Sequence, residues 1–143
     1  MKKIRQVSAS RFIPAPPEKI FELLANPAKH QLLDGSGSII GLKKGPERLF
    51  KGAKFAMRMK MGARYETVNK VVVFEENKAI AWHHFAQFVW RYDLKEVEGG
   101  TEVTESFNYD KPWAFTIIRT GFPERNKASM EKTLAKIEEI VTA

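Results

Sequence analysis

The sequence contains no cysteine, only three histidines and no long uninterrupted apolar run. Without cysteine, the chain forms no disulfides, thiol nucleophiles or thiolate metal sites. No apolar run approaches the roughly 20 residues that a membrane-spanning helix needs. Residues 1–19 include two early lysines but no apolar stretch behind them, so we expect no signal peptide and a cytoplasmic protein.

Several motifs that carry chemistry are also missing. The sequence has no Gly-x-Ser-x-Gly nucleophile elbow, no phosphate-binding glycine loop and no dinucleotide fingerprint. Nucleophilic, nucleotide-dependent and redox reactions are therefore poor candidates. His30, His83 and His84 show neither His-x-His nor His-x-x-x-His spacing, so we expect no metal site and no cofactor.

What is present is typical of a globular domain. The 143 residues are 43% hydrophobic and 29% charged. A chain of this length is long enough to bury a core or enclose a cavity. We therefore expect one domain over residues 1–143.

The net charge of +7 is concentrated in one stretch. Between Lys43 and Lys70 the chain has nine basic residues and only two acidic ones, while basic and acidic residues balance elsewhere. The ordinary interpretation is a solvated outer face of a sheet. The alternative is an interaction surface that attracts anionic ligands, lipid head groups or nucleic acid, although nucleic acid is not the partner we expect.

The pattern predicts an α+β protein. Residues 4–13 alternate as a first strand, and two short helices follow, with Pro16 and Pro17 at the start of the first and Pro27 opening the second. Residues 34–37 form a turn, and turn signals divide the region up to residue 110 into about six strands with antiparallel neighbours. A long helix is predicted over residues 123–142. Its apolar stripe consists of Met130, Leu134, Ile137 and Val141.

This order of elements resembles the helix-grip fold of the START-like, or SRPBCC, superfamily. The segments PAPPEKIFELLANPAKH followed by DGSGSI, VVVFEENKAIAWHH, WRYDLKEVEGGTEVTESF and GFPERN look like its polyketide cyclase/dehydrase-type members. The resemblance implies a curved antiparallel sheet wrapped around the C-terminal helix, with a hydrophobic cavity between them. Members bind lipids, sterols, hormones or polyketides in that cavity, and some aromatic polyketide cyclases perform chemistry there.

The adjacent His83 and His84 cannot both enter such a cavity, because neighbouring residues of a strand point to opposite faces. Trp82 and His84 share the bulkier face, so we predict His84 inward and His83 outward, unless a bulge reverses them. His30 belongs to a helical segment far away in the sequence. A hydrogen-bonded core histidine is the simpler interpretation of His84.

Glu105 is the less expected residue. Its strand companions Val103, Phe107 and Tyr109 are apolar or aromatic, so the alternation points its carboxyl inward. An unpaired buried carboxylate is costly and has a raised pKa. We therefore expect a partner, whether His84, Arg119, a tyrosine or a bound ligand, and a structural ion pair or a position at the cavity mouth is an equal alternative.

The same alternation predicts the rest of the lining. The expected ligand-binding residues are Met57, Met59, Tyr65, Asn69, Trp82, His84, Trp90, Tyr92, Glu105 and Phe107. Trp113, Phe115 and Phe122 are expected near the cavity mouth. A mostly apolar pocket with a few polar groups suits a small organic ligand.

Three functions follow from these expectations. The preferred one is binding of a small hydrophobic or amphipathic ligand, lipid-like or polyketide-like. The second is a cyclase or dehydratase in which Glu105 or His84 acts as general base and a tyrosine polarises a carbonyl. The third is a surface interaction protein that uses the basic residues 43–70.

Overall fold

The computed structural model describes residues 5–84, 87–118 and 121–143, apart from the side chains of residues 116, 117 and 122. The predicted turn at Ala86–Gln87 and the candidate partner Arg119 therefore lie wholly or partly outside the described residues. In chain order, the elements are β1 (Gln6–Ile13), α1 (Pro17–Leu24), a 3-10 helix (Pro27–Lys29), α2 (His30–Leu33), β2 (Ile39–Lys44), β3 (Lys54–Met61), β4 (Ala63–Glu75), β5 (Ala79–His83), β6 (Val89–Val97), β7 (Gly100–Asn108), α3 (Phe115–Ile118) and α4 (Phe122–Val141).

The seven strands form one antiparallel sheet in the order β1-β7-β6-β5-β4-β3-β2. Consecutive strands from β2 to β7 are neighbours, as the short predicted connections require. The exception is β1, which pairs with β7 at the far edge of the sheet. Register shifts interrupt the β2–β3 and β4–β5 ladders, and such bulges increase the local bend and twist of a sheet. The predicted α+β helix-grip architecture is confirmed.

Helix α4 supplies much of the core. Its predicted stripe of Met130, Leu134, Ile137 and Val141 is buried. The spacing of these residues places them on one helical face, which packs against β1 and β7. Leu134 and Ile137 are fully enclosed, so this face is the main attachment of the helix to the sheet.

The two short helices bring the chain back over the sheet. Helix α1 begins at Pro17, and the N–H that proline lacks would have no partner within the helix at this position. Ile20, Phe21 and Leu24 are buried on the apolar side of the helix. The Asn26 side chain then accepts a 3.1 Å hydrogen bond from the Ala28 N–H and caps the following 3-10 helix. This sharp change of direction returns α2 toward the sheet and toward α4.

The loop between α2 and β2 lies directly against α4. The Gly35 N–H donates a 2.8 Å hydrogen bond to the Thr133 hydroxyl, and the Lys136 ammonium reaches the Asp34 carbonyl oxygen at 3.3 Å. A Cβ atom on Gly35 would overlap the Ser129 carbonyl oxygen. The loop can approach the helix this closely only because residue 35 has no side chain.

Helix α3 was not predicted from the sequence, and it is a single turn between the sheet and α4.

No helix within the described part of the chain is both long and apolar enough to cross a membrane.

Candidate functional site

A pocket of about 350 Å³ lies between the inner face of the sheet and the helices α2 and α4. Its wall includes side chains from β3 to β7, from the loop after α2 and from the first half of α4. The full lining consists of His30, Leu33, Asp34, Ser36, Ser38, Ile39, Phe55, Met57, Met59, Met61, Tyr65, Thr67, Asn69, Trp82, His84, Trp90, Tyr92, Glu105, Arg125, Asn126, Ser129, Met130 and Thr133.

Strand alternation explains the sheet side of this wall. In β3, every second residue from Phe55 to Met61 points into the pocket, while Lys54, Arg58 and Lys60 are exposed on the other face. The predicted lining residues that lie on the wall are Met57, Met59, Tyr65, Asn69, Trp82, His84, Trp90, Tyr92 and Glu105.

Phe107 is the predicted lining residue that lies elsewhere, in the core. Its side chain is fully buried, and its ring packs 4.5 Å from the ring of Trp90, its partner in the β6–β7 ladder. The rings of Phe88 and Tyr109 also lie within 6 Å of it. Alternation predicted the correct face, but Phe107 is buried among these rings and is not part of the pocket wall.

The predicted mouth residues also lie off this wall. Trp113 and Phe115 are exposed and are not among the lining residues, and the Phe122 side chain lies outside the described residues. Instead, the exposed lining residues are Ser36, Met61, Tyr65 and Arg125. The Tyr65 hydroxyl donates to the Met61 sulfur at 3.5 Å, which joins β3 and β4 at this end of the pocket.

Glu105 is the most unusual group in the pocket. Only 3% of the residue is exposed, and its Oε1 atom has no hydrogen-bond partner among the described residues. Tyr92 lies directly opposite it in the β6–β7 ladder. Burial raises the pKa of Glu105 to about 8; the interacting Tyr92 hydroxyl lowers it in part, and the negative charge of Asp34 adds to the increase. The carboxyl is therefore mostly protonated at neutral pH.

Among the partners expected for Glu105 from the sequence was a tyrosine, and in the structure Tyr92 interacts with its carboxyl. The pKa of Tyr92 is raised well above its usual range, first by burial and then by the nearby Glu105. Both groups are consequently neutral, so this contact is a neutral pair rather than an ion pair. Leaving one carboxyl oxygen without a partner costs free energy that a bound group would recover.

His84 lines the pocket and His83 does not. Burial, followed by the charge of neighbouring His83, lowers the pKa of His84, so the ring is mainly neutral at pH 7. The His83 Nδ1 atom lies 3.2 Å from the His84 carbonyl oxygen.

His30 belongs to the pocket although its position in the sequence suggested otherwise. The segment after Pro27 turns α2 back onto the sheet, and the His30 ring stacks on Trp82 with ring centroids 5.0 Å apart. Its Nε2–H donates to the Leu24 carbonyl oxygen at 2.8 Å. Burial lowers the pKa of His30 to about 4, so this histidine is neutral and holds the helix against the wall.

The polar residues contributed by α4 were also missed. Asn126 is only 6% exposed, and its Nδ2 atom has no hydrogen-bond partner among the described residues. A signal existed in the sequence, because Asn126 precedes Met130 and Leu134 at intervals of four on the apolar stripe. A polar side chain on a buried helical stripe normally has a hydrogen-bond partner.

Asp34 gives the pocket a negative charge. Its carboxylate accepts hydrogen bonds from the N–H groups of Ser36 and Ile39, at 3.1 and 3.0 Å, and from the Ser36 hydroxyl at 2.7 Å. These bonds fix the conformation of the loop, which contacts α4 at Gly35. The described residues contain no cluster of three histidine or acidic side chains positioned to hold a metal ion.

The basic stretch forms much of the opposite, outer face of β3 and β4. Lys54 lies directly across from Lys70, and Lys60 directly across from Arg64. Lys43 forms a 2.6 Å ion pair with Glu66. Like charges in opposed positions destabilise a sheet. Arg58 lies across from Glu66, but the two like-charged pairs leave this face with an excess of positive charge.

Comparison with known proteins gives a consistent result. Residues 5–142 match the family model described as polyketide cyclase/dehydrase and lipid transport. An uncharacterized protein of Mycobacterium tuberculosis strain H37Rv is 34% identical over 141 residues, which cover 94% of this chain and 63% of that protein. The chain thus spans less than two thirds of the length of this relative.

Solved structures share the fold at low sequence identity. The structure of protein CV1439 from Chromobacterium violaceum superposes with a TM-score of 0.74 and 14% identity, covering 97% of this chain and 99% of that one. The KanY protein superposes with a TM-score of 0.78 and 10% identity, covering 99% and 100%. At these identities, the likeness concerns the fold.

Proposed function

Because the chain belongs to the polyketide cyclase/dehydrase and lipid transport family, we propose that its pocket binds a small, largely apolar organic ligand. The observation that carries the proposal is the composition of the wall. Methionine and aromatic side chains surround most of the space, while a few buried polar atoms face it. Pockets for small molecules typically combine an apolar lining with a few polar groups that orient the ligand.

The apolar contacts divide between two kinds of side chain. Trp82, Trp90 and Tyr92 offer large, rigid ring surfaces, which give much contact area at little cost in conformational entropy. Met57 and Met59 are flexible and polarisable, so they adapt to a ligand of irregular shape. A pocket of about 350 Å³ lies at the small end of the range of small-molecule pockets, so it suits a compact ligand.

A fluorescent probe tests this proposal directly. N-phenyl-1-naphthylamine is uncharged and brightens on leaving water, so its emission should rise when the protein is added. The variant Ser129→Trp fills the pocket from α4, and it should abolish the increase. Ala128→Trp, on the exposed neighbouring position, is the matched control and should leave it intact. An equal response from both variants would contradict binding in this pocket.

The acid–base properties of Glu105 favour a second candidate, a cyclase or dehydratase. A general acid or base works best when its pKa lies near the working pH, and Glu105 at about 8 meets this condition. In that reaction, ionised Glu105 or neutral His84 would accept a proton from the carbon atom next to a carbonyl group of the substrate. The Tyr92 hydroxyl would polarise the carbonyl oxygen. Glu105→Gln should abolish turnover in an enzyme but only alter affinity in a binding protein.

The outer basic face supports a third candidate, contact with an anionic partner. Its opposed lysines and arginine are costly for the isolated sheet, and a negatively charged surface would offset that cost. Such binding should weaken steeply as salt rises, whereas binding of an uncharged molecule in the pocket should hardly respond.

A further inference from the structure

Two buried side-chain atoms in the described part of the chain have no hydrogen-bond partner, namely Glu105 Oε1 and Asn126 Nδ2. Both residues line the same pocket, Glu105 from β7 and Asn126 from α4. A buried polar atom without a partner is rare in native proteins and costs stability. Two such atoms on the sheet side and the helix side of one space indicate that a ligand supplies the missing partners.

The chemistry of the two groups restricts that ligand. The Asn126 Nδ2 atom carries two hydrogens and only donates, so its partner must be an acceptor. A protonated carboxyl at Glu105 donates one hydrogen from its O–H group. A ligand with carbonyl oxygens satisfies both groups, because each carbonyl oxygen has two lone pairs and needs no hydrogen of its own.

The charges around the pocket oppose an anionic ligand. The cation of the lining is Arg125, which is exposed to solvent, while Asp34 contributes a negative charge. A carboxylate placed beside Glu105 would lose its hydration without a buried cation to compensate. The deep part of the pocket therefore favours a molecule that is polar at one end but carries no charge.

We propose that Glu105 and Asn126 form a hydrogen-bonding site for the carbonyl group of an uncharged ligand, which makes the pocket select neutral carbonyl compounds over carboxylates of the same shape. This inference rests on the proposed ligand-binding function and narrows its ligand class. It also gives Asn126 a specific role, as a donor on the helix opposite the sheet.

The site should respond to pH through Glu105. The titratable or charged groups that share the pocket wall with it are His30, Asp34, Tyr65, His84, Tyr92 and Arg125. On the other side of β7, the strand β1 places uncharged Ala9 opposite Glu105. The pKa values of both histidines are lowered and those of both tyrosines are raised, so Glu105 is the group of this set that titrates just above neutral pH.

Three naphthalene derivatives of matched shape test the inference: 2-acetylnaphthalene, the anion 2-naphthoate and the hydrocarbon 2-isopropylnaphthalene. Each is titrated against N-phenyl-1-naphthylamine bound to the full chain, and displacement is followed by fluorescence. At pH 7 the ketone should bind at least about tenfold more tightly than the carboxylate, because burying an unpaired charge is costly. Asn126→Leu should lower the ratio of ketone affinity to hydrocarbon affinity about 3–10-fold, as expected for one lost hydrogen bond.

Ketone affinity of the unmodified protein should fall as the pH rises from about 6.5 to about 9.5, because ionised Glu105 no longer donates. Glu105→Gln should remove that dependence, while Glu102→Gln, an exposed glutamate on the same strand, should retain it. If the carboxylate bound as tightly as the ketone, or if ketone affinity of the unmodified protein did not change with pH, this inference would be overturned but the proposed ligand-binding function would stand. If none of the three compounds displaces the probe, the proposed ligand-binding function fails as well.

Discussion

At the scale of single residues, Glu105 shows how a functional group can oppose stability. Its carboxyl is protonated in the folded chain up to about pH 8 but ionises near pH 4.5 in an exposed environment. The folded state therefore holds a proton that the unfolded state releases between these two values. Across this window, the free energy of unfolding decreases as the pH rises.

Glu105→Gln should consequently stabilise the protein in mildly alkaline solution. Glutamine has the same shape and cannot ionise, so the variant avoids the cost of keeping this group protonated. We expect its free energy of unfolding at pH 8.5 to exceed that of the unmodified protein by about 2–5 kcal/mol, because each pH unit over which only the folded chain holds this proton costs about 1.4 kcal/mol. Urea denaturation at pH 5 and pH 8.5 measures the effect; an advantage equal at both pH values would show that ionisation is not its cause.

At the scale of secondary-structure elements, the hairpin of β3 and β4 has two different faces. The inner face lines the pocket, and the outer face opposes Lys54 to Lys70 and Lys60 to Arg64. Lys70 also lies across from His83 of β5. Alternation predicts which residues share a face, but only the register shows that positive charges lie directly opposite one another.

Lys70→Glu should stabilise this hairpin. The substitution replaces a repulsive cross-strand pair with an attractive one, and such pairs contribute about 0.2–1 kcal/mol each. The matched control is Lys95→Glu on β6, because Lys95 lies opposite Glu102 and the same substitution creates a repulsion there. Thermal unfolding at low salt should show opposite shifts for the two variants, and shifts of the same sign would contradict the role of register.

At the scale of the whole molecule, the pocket depends on how segments far apart in the sequence pack together. The loop at residues 34–38 touches α4 about a hundred residues later, through Gly35 and Thr133. This contact positions Asp34 beside the pocket and holds α2 near Trp82. The helix-grip arrangement therefore needs close contact of backbones as well as an apolar helix face.

Gly35→Ala should weaken that contact. The added methyl group would overlap the Ser129 carbonyl oxygen of α4, and backbone atoms cannot rotate away as a flexible side chain does. We expect a loss of about 1–3 kcal/mol in the free energy of unfolding, typical of overpacking. Gly41→Ala, where the nearest atom is 3.6 Å away, is the control and should be nearly neutral. Equal losses in the two variants would refute the close-contact argument.

The sequence by itself determined the order of the elements other than α3, the buried stripe of α4 and the faces of the strands. These features follow from local periodicity, which every segment expresses through its own residues; this is why Glu105, Trp82 and His84 were expected on the inner face. The same reasoning has a limit at Phe107, whose face was predicted but whose enclosure by Phe88 and Tyr109 was not.

Only the tertiary structure decided which side chains meet. His30 and Asn126 reach the pocket because α2 turns back onto the sheet and α4 crosses it, and Tyr92 becomes the neighbour of Glu105 through strand register. Burial then raises the pKa of Glu105 and lowers that of His30. Desolvation depends on everything packed around a group, so periodicity along one segment cannot reveal it, and the protonation state of the pocket is a property of the assembled fold.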